Sequence, residues 1–331
     1  MKKKISEFTF CVLCYNHEDY ISEHLNSIVF IIQKYGKTVD CDLIISDDYS
    51  KDRSRLVIES WLLSNSKYFR SISLLFSGHN QGTCRSTVNV IKQIKTEHCK
   101  ITASDDVYTD INIFKFICDF SSQTLTNSVP VRLINGKIKI SKLEVFLFLA
   151  SDLIYRKYSL VKQLSSFSVI SAPNLFYPVK KIKDERVLEF LAKYQVVEDL
   201  ALQIALSEYY PDIKLTYNYT PIVLYRRTGG STYKTFPDKL VDDNINLLDY
   251  FKNMKSPHLS FYERLLIGAK RNFWLSVRCN KISRIFFRFA RLDFLLRLII
   301  NLPSIIVAFR SVRIDLPKLK AHYEEISRRS T

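Results

Sequence analysis

The stretch Ile101-Thr102-Ala103-Ser104-Asp105-Asp106 decides the fold. Apolar and small side chains run into two adjacent carboxylates, the pattern of a strand that ends on a pair of acids. In an open α/β sheet, ligands bind in the crevice outside the carboxyl ends of the strands. Hard oxygen donors placed there suit Mg²⁺ or Mn²⁺ held together with phosphates, which makes a nucleotide-diphosphate substrate the leading idea. The alternative is that Asp105 and Asp106 only start the next helix, since Asp is a good N-cap and Asp110 follows in similar style.

The same pattern occurs upstream. Asp42-Leu43-Ile44-Ile45-Ser46-Asp47-Asp48 is a second strand ending on acids, and the polar turn Tyr49-Ser50-Lys51-Asp52 leads into a helical pattern from Arg55 to Leu63. The first strand, Phe8 to Cys14, runs through Tyr15-Asn16-His17-Glu18-Asp19-Tyr20 into a helix expected over about Ile21 to Tyr35. Alternating strands and helices with short polar junctions predict a parallel, doubly wound sheet, whose active face collects those junctions.

In this order and spacing, Tyr15-Asn16 with Tyr20, Ile45-Ser46-Asp47-Asp48-Tyr49-Ser50-Lys51-Asp52, Asn80-Gln81-Gly82, Ala103-Ser104-Asp105-Asp106, Val197-Glu198-Asp199 and Leu224-Tyr225-Arg226-Arg227-Thr228-Gly229-Gly230-Ser231 resemble the signature of family 2 glycosyltransferases with the GT-A fold. The resemblance covers roughly residues 5–235. It implies an α/β, Rossmann-like, mostly parallel mixed sheet flanked by helices, with residues 1–120 as the nucleotide-binding half and 121–235 as the acceptor half. It also implies roles. Tyr15, Asp47, Asp48 and Asp105 would bind the nucleotide sugar, with Asp48 accepting from the uracil edge and Tyr15 stacked nearby. Asp106 would ligate Mg²⁺ or Mn²⁺, and Asp199 would be the general base of an inverting transfer. On residue type alone, Asp47 and Asp48 could instead cap a helix, and Glu198 and Asp199 could be first-turn acids favoured by the helix dipole. Four positions depart from the family pattern: Tyr49 stands where Gly is common, Thr228 where His is common, and Arg85 and Asn89 are offset by about one residue.

The 331 residues, 47% of them hydrophobic, are enough to bury a large core. Met1-Lys2-Lys3-Lys4 resembles the start of a signal peptide, but the charges from Glu7 to Asp19 leave no apolar stretch of useful length, so a cytoplasmic protein is expected. Cys11 and Cys14 are three apart on a strand and should point to opposite faces, which keeps them from sharing a metal. Buried, reduced thiols are expected for the seven cysteines.

Beyond residue 120, a polar loop is expected over Ser121 to Val131, helix over Lys142 to Phe167, and an acceptor-side strand near Ser171 to Tyr177. A helix should follow over Glu198 to Tyr210, with late strands at Ile213 to Tyr217 and Pro221 to Arg226. Residues 236–331 read as a separate helical region. From Arg264 to the end, fifteen Lys or Arg face four Asp or Glu, a local charge of +11 within a net +16. Lys281, Arg284, Arg288 and Arg291 fall at helical spacing opposite Ile282, Ile285, Phe286, Phe289 and Leu296, a basic amphipathic helix suited to a membrane interface. The uncharged run Leu298 to Phe309 falls short of the roughly 20 residues of a spanning helix, so peripheral binding to the cytoplasmic face of the inner membrane is expected. A helix packed on the catalytic domain or on a homodimer partner is the alternative. Nucleic acid is not the expected partner, because clustered Phe and Leu replace a reading surface.

Three function classes follow. The first is an inverting glycosyltransferase that moves a hexose or N-acetylhexosamine from UDP to a polyprenyl-diphosphate-linked saccharide, as in building an O-antigen or other bacterial surface polysaccharide (lipopolysaccharide included). A nucleotidyltransferase is the second, although Cys14 to Tyr20 holds no Gly, Lys or Arg for a phosphate loop. The third is a non-catalytic membrane-bound scaffold, which the complete set of acids disfavours.

Overall fold

Both faces of the first strand are covered, and its sequence shows it: Phe8, Phe10, Val12 and Cys14 pack into one core cluster while Cys11 packs into another. The computed structural model describes residues 5–118, 124–166, 168–227, 237–279 and 292–330. Within them the chain begins β1 (Glu7–Cys14), α1 (Ile21–Tyr35), β2 (Asp40–Asp47), α2 (Ser54–Asn65), β3 (Ser71–Phe76), α3 (Thr83–Gln93), β4 (Cys99–Ala103), β5 (Val107–Tyr108) and α4 (Ile113–Cys118). It continues β6 (Thr124–Ser128), β7 (Val131–Ile134), β8 (Lys137–Lys139), α5 (Lys142–Tyr155), α6 (Leu160–Ser165), β9 (Leu175–Phe176), α7 (Val179–Ile182), α8 (Glu185–Leu191), α9 (Glu198–Tyr209), β10 (Lys214–Asn218) and β11 (Val223–Arg227). It ends α10 (Asp238–Asn253), α11 (Phe261–Cys279), α12 (Leu292–Ser311) and α13 (Leu316–Arg328).

The central sheet has the order β3-β2-β1-β4 and is parallel throughout, the expected α/β architecture. Its register aligns Cys14 with Asp47 and Leu13 with Ala103, so the three polar junctions leave the sheet at one edge. A second sheet, β5-β11-β7-β8, mixes parallel and antiparallel pairs and carries β11 next to the Asp105-Asp106 turn. A third, β10-β6-β9, is built from strands between residues 124 and 218. Under the first sheet, Phe8, Phe10, Tyr108 and Phe114 meet edge to face, with centroids 4.8 to 6.3 Å apart. Such pairs add about 0.5–1.5 kcal/mol each beyond area burial.

The polar loop expected over 121–131 is a strand where it is described. Thr124–Ser128 pairs in parallel with β10, and two of its buried polar side chains are partnered: Thr126 Oγ1 lies 3.0 Å from Thr216 Oγ1, and Asn127 bonds the backbone at Val169 and Ser171, whereas the buried Ser128 Oγ has no hydrogen-bond partner among the described residues. Composition hid a core strand whose threonine hydroxyl and amide find partners inside the protein. The expected acceptor-side strand shrinks to the two residues of β9, preceded by a 3₁₀ turn at Ala172–Asn174.

The last helix crosses the expected boundary at residue 235. Leu319, Tyr323 and Ile326 of α13 lie in the same core cluster as Phe8 and Phe10, and Ile326 is 0% exposed. His322 Nε2 hydrogen-bonds the Tyr108 carbonyl at 2.8 Å, and Asn26 Nδ2 donates to the Arg329 carbonyl at 3.0 Å. The helix therefore completes the core beside β1 and α1. Ile326→Ala should lower the unfolding free energy by about 2–5 kcal/mol, as for other buried Ile truncations. Denaturant melts check this, and a loss below about 0.5 kcal/mol would mean that α13 is only loosely seated.

Candidate active site

The junctions after β1, β2 and β4 are laced together by their own polar side chains. Asn16 N–H donates to Ser50 Oγ at 2.8 Å, Lys51 N–H to Asn16 Oδ1 at 2.7 Å, and Glu18 N–H to Asp52 Oδ2 at 3.0 Å. His17 Nδ1 hydrogen-bonds Ser104 Oγ at 2.8 Å, while its Nε2 lies 4.0 Å from Asp105 Oδ2. Tyr15, the first residue after β1, is 44% exposed.

The acids divide into distinct tasks. Asp47 is fully buried and committed to its own turn, accepting from Ser50 N–H, Ser50 Oγ and Arg55 Nε. Asp48 does not cap the next helix, whose end Asp52 secures through Ser54. Its two oxygens instead accept from Gln81 N–H at 2.7 Å and Gly82 N–H at 2.8 Å, tying the β2 end to the start of α3. Tyr49 sits at φ +66°, the left-handed backbone that glycine adopts freely. This tyrosine fills the position where the resemblance leads one to expect Gly, with Lys51 Nζ 3.3 Å above its ring.

Asp105 and Asp106 do not open a helix; they form the turn between β4 and β5. Asp106 is 1% exposed. Its Oδ1 accepts from Arg226 N–H at 3.0 Å and its carbonyl from His24 Nδ1 at 2.8 Å, which makes His24 a neutral donor there. Burial pushes His24 down to about 4. Burial and then the neighbouring Asp105 charge push the Asp106 carboxyl well up, and burial also raises Asp105. Lys100, fully buried on β4, is pushed down by burial to about 8 while the Asp106 charge acts the other way.

Arg226 is the hub of this corner. Its Nε donates to the Asp105 carbonyl at 2.6 Å, its guanidinium lies 4.7 Å from the Tyr20 ring centroid, and its Nη2 pairs with Glu23. Glu23 in turn accepts from Ser327 Oγ at 2.7 Å and Tyr323 OH at 3.4 Å, both on α13. Glu23, His24, Tyr323 and Ser327 were not legible as site residues, because they are recruited by contacts 82 to 304 positions away along the chain.

Glu198 and Asp199 open α9, as expected, at the end of a loop that is pinned from two sides. Cys84 N–H donates to the Gln195 carbonyl at 3.1 Å, and the buried Asp243 on α10 accepts from Gln195 N–H at 2.8 Å and Val196 N–H at 2.6 Å. Gly82, at φ +89°, is required here, since an added Cβ would sit 2.5 Å from the Gln195 carbonyl oxygen. Burial raises both carboxyls, and for Glu198 the Asp199 charge adds to it. One hydroxyl connects the two acidic groups: Tyr225 on β11, pushed up to about 12 by burial, feels the charge of Asp106, Asp105 and Asp199 alike. Tyr177, just after β9, feels Asp199 and Glu198. The charges of Asp105, Asp106 and Asp199 thus all reach Tyr225, and Tyr15 follows β1 at the sheet edge that also carries the Asp105-Asp106 turn. Thr228 and Gly229 to Ser231 lie outside the described residues, and Arg85 and Asn89 are on the exposed face of α3.

Among the described residues, no three His, Cys, Asp or Glu side chains gather as a metal cluster. The Asp105-Asp106 pair nonetheless fits Mg²⁺ or Mn²⁺, which are commonly held by one or two carboxylates together with substrate phosphates and water. Both carboxyls are pushed up by burial, and Asp106 also by its neighbour's charge, a cost that a divalent cation offsets.

A parallel sheet with a strand-end acidic pair and a second acid across the crevice defines a nucleotide-sugar-binding α/β transferase. Residues 9–137 match the family model described as glycosyl transferase family 2, so this part of the chain is a family 2 glycosyltransferase domain, and the parallel sheet flanked by helices is consistent with the GT-A fold. No curated protein matches the sequence. Among solved structures, S. aureus TarS 1–349 in complex with UDP-GlcNAc is similar at TM-score 0.56 and 16% identity, over 98% of this chain and 92% of that one. The mannosyltransferase PcManGT from Pyrobaculum calidifontis, in complex with GDP-Man and Mn²⁺, is similar at TM-score 0.55 and 10% identity, over 98% and 86%. At these identities the likeness is one of fold.

The raised carboxyl pair has a consequence for pH. A general base works unprotonated, so turnover should fall as pH drops through the raised range. The Asp199 charge raises Glu198 while Glu198 adds nothing to Asp199, so Asp199 gives up its proton first, beside a Glu198 that is still neutral. In Glu198→Gln, which keeps that neutral form, the acid limb of the kcat profile should therefore stay where the parent has it. A limb that moves down by about one pH unit or more would show that Glu198 is charged while Asp199 titrates.

Proposed function

We propose that this glycosyltransferase moves a hexose or N-acetylhexosamine from UDP, with inversion, to a lipid-linked saccharide acceptor at the cytoplasmic face of the bacterial plasma membrane, in surface-polysaccharide synthesis. The observation that carries the reading is Tyr225, a single hydroxyl within electrostatic reach of both the Asp105-Asp106 pair and Asp199. A common neighbour for the two acidic groups supports a donor and a base that share one crevice.

In this reading Tyr15 stacks on the base, and Asp105 orients the donor sugar. Asp106, with Asp105, holds a divalent cation, which when bound supplies positive charge to the diphosphate leaving group. Arg226 and His24 fix the turn so that the Asp106 carboxylate needs no rearrangement on binding. Asp199 takes the proton from an acceptor hydroxyl while that oxygen bonds the anomeric carbon from the face opposite the diphosphate. The anomeric C–O bond breaks and UDP leaves with its electron pair. Asp48 holds the α3 start, which in turn steadies the Gln195 loop. The family match sets aside the nucleotidyltransferase reading.

Proton removal by a positioned base contributes typically 10²–10⁴-fold in rate. Asp199→Asn should bind UDP like the parent and transfer sugar about that much more slowly, with the parent giving the inverted anomer by NMR. Asp106→Ala should abolish Mn²⁺-dependent UDP binding in calorimetry. An active Asp199→Asn enzyme, or a retained anomer, would sink the mechanism.

The membrane part of the proposal rests on α12. Phe294 to Ser311 is long and apolar enough to cross a bilayer by length and composition, and only 11% of it is buried. Phe294 and Ile305 pack on α5 with Ala150, Ile154 and Tyr155, whereas Leu296, Ile299, Ile300 and Val307 face outward, Ile300 at 77% exposure. A helix seated on the protein by one face and apolar on the other suits the interface of a membrane. The basic helix expected over 281–291 lies outside the described residues. Ile299→Glu with Ile300→Glu should prevent flotation with anionic vesicles and leave UDP binding intact; a variant that still floats would remove α12 from the membrane contact.

A further inference from the structure

A groove of about 910 Å³ lies between the β7–β8 hairpin and α13, outside the crevice just described. Its charge is one-sided. Lys137 and Lys139 line it from the hairpin, Lys320 and Arg328 from α13, and Glu324 is the one carboxylate among its lining residues. The two elements aim these cations by their own geometry. Asn135 and Gly136, both left-handed, make the tight turn that starts β8, and alternation along the strand puts Lys137 and Lys139 on the same face. On α13, Lys320, Tyr323, Glu324, Ser327 and Arg328 fall at i, i+3, i+4, i+7 and i+8, one face of a helix. Lys137, Lys139 and Lys320 share one concavity with a single carboxylate, Glu324, so the groove keeps an excess of positive charge that attracts an anion.

The position of the groove says what that anion belongs to. β7 runs parallel to β11 with Ile134 opposite Arg227, so the hairpin turn leaves the sheet at the same edge as the Arg226 hub. On the α13 side, Tyr323 and Ser327 contact Glu23, which pairs with Arg226 beside Asp105 and Asp106. Only residues 312–315 separate α13 from the apolar α12, a span of at most about 14 Å when extended. Lys320 spans about 12 Å to Arg328 along the helix, long enough for two phosphates side by side with a sugar attached. The groove is thus next to the active corner and one short connection from the proposed membrane face.

We infer that this groove binds the diphosphate of the lipid-linked acceptor, holding the carrier's headgroup while the sugar end reaches Asp199. The inference rests on the lipid-linked reading above. Its test uses the full-length protein saturated with UDP, so that the donor site is filled, and inorganic pyrophosphate as the probe. Lys137→Glu, Lys139→Glu and Lys320→Glu combined, all at exposed side chains, should weaken pyrophosphate binding by about tenfold or more in calorimetry. The same variant should raise KM for a polyprenyl-diphosphate-linked saccharide, with UDP affinity kept and flotation on anionic vesicles free of diphosphate lipid kept. Unchanged pyrophosphate affinity would overturn the inference. So would equal loss of flotation on diphosphate-free vesicles, since the lysines would then serve only general attraction to the bilayer. If the parent itself fails to float or to use a lipid-linked acceptor, the functional reading fails, while pyrophosphate binding that is lost in the variant still marks the groove as a diphosphate site.

Discussion

A carboxylate taken out of water must be compensated where it lies, and the active corner of this protein is organised around that demand at Asp106. Its side chain and its carbonyl are each tied to a different element, β11 through the Arg226 backbone and α1 through His24. Lys100 supplies a buried positive charge from the strand beneath. Arg226 then needs its own counter-charge, which Glu23 provides, and Glu23 is steadied by two hydroxyls of α13. Each partner added to satisfy one buried group recruits the next, as expected where an unpaired buried charge is far costlier than a paired one.

Much of this architecture was legible because it is local. The period-two pattern of Phe8 to Cys14, the amphipathic run from Ile21 to Tyr35 and the acids at the ends of β2 and β4 each report their own environment, and the helix was expected where it is found. The opposite facing of Cys11 and Cys14 followed from strand geometry, and the two thiols do sit in different clusters. What could not be read depends on partners distant in sequence. Thr124–Ser128 reads as a loop because nothing within it reveals that β10 will bury it. Asp243 looks like an ordinary helical acid until Gln195 and Val196 are seen donating to it. Nor does residue type distinguish Asp48 as a ligand contact from Asp48 as a clasp on the start of α3; the two backbone donors at Gln81 and Gly82 reveal the second task.

Tyr49 shows how a local rule can be broken and held. A left-handed tyrosine costs on the order of 1–2 kcal/mol relative to the usual backbone, and glycine there would be free of that cost. The turn is kept because Asp47 and Asp48, on the strand side, are both locked by hydrogen bonds and leave the backbone no other course. In exchange the chain gains an aromatic face beside Lys51 at the mouth of the nucleotide crevice.

The contact between Glu23 and Ser327 joins residues 304 positions apart. A ribosome releases the chain from its amino end, so the strands that carry Asp48 and Asp106 are complete long before the helix that finishes their support exists. Throughout synthesis the first half must persist with an unfilled groove against α1 where Leu319, Tyr323 and Ile326 will later lodge. Contacts of such separation form late and slowly. The last thirteen-residue helix thus sets the moment at which the site becomes whole, and by then the apolar α12 has already emerged ahead of it.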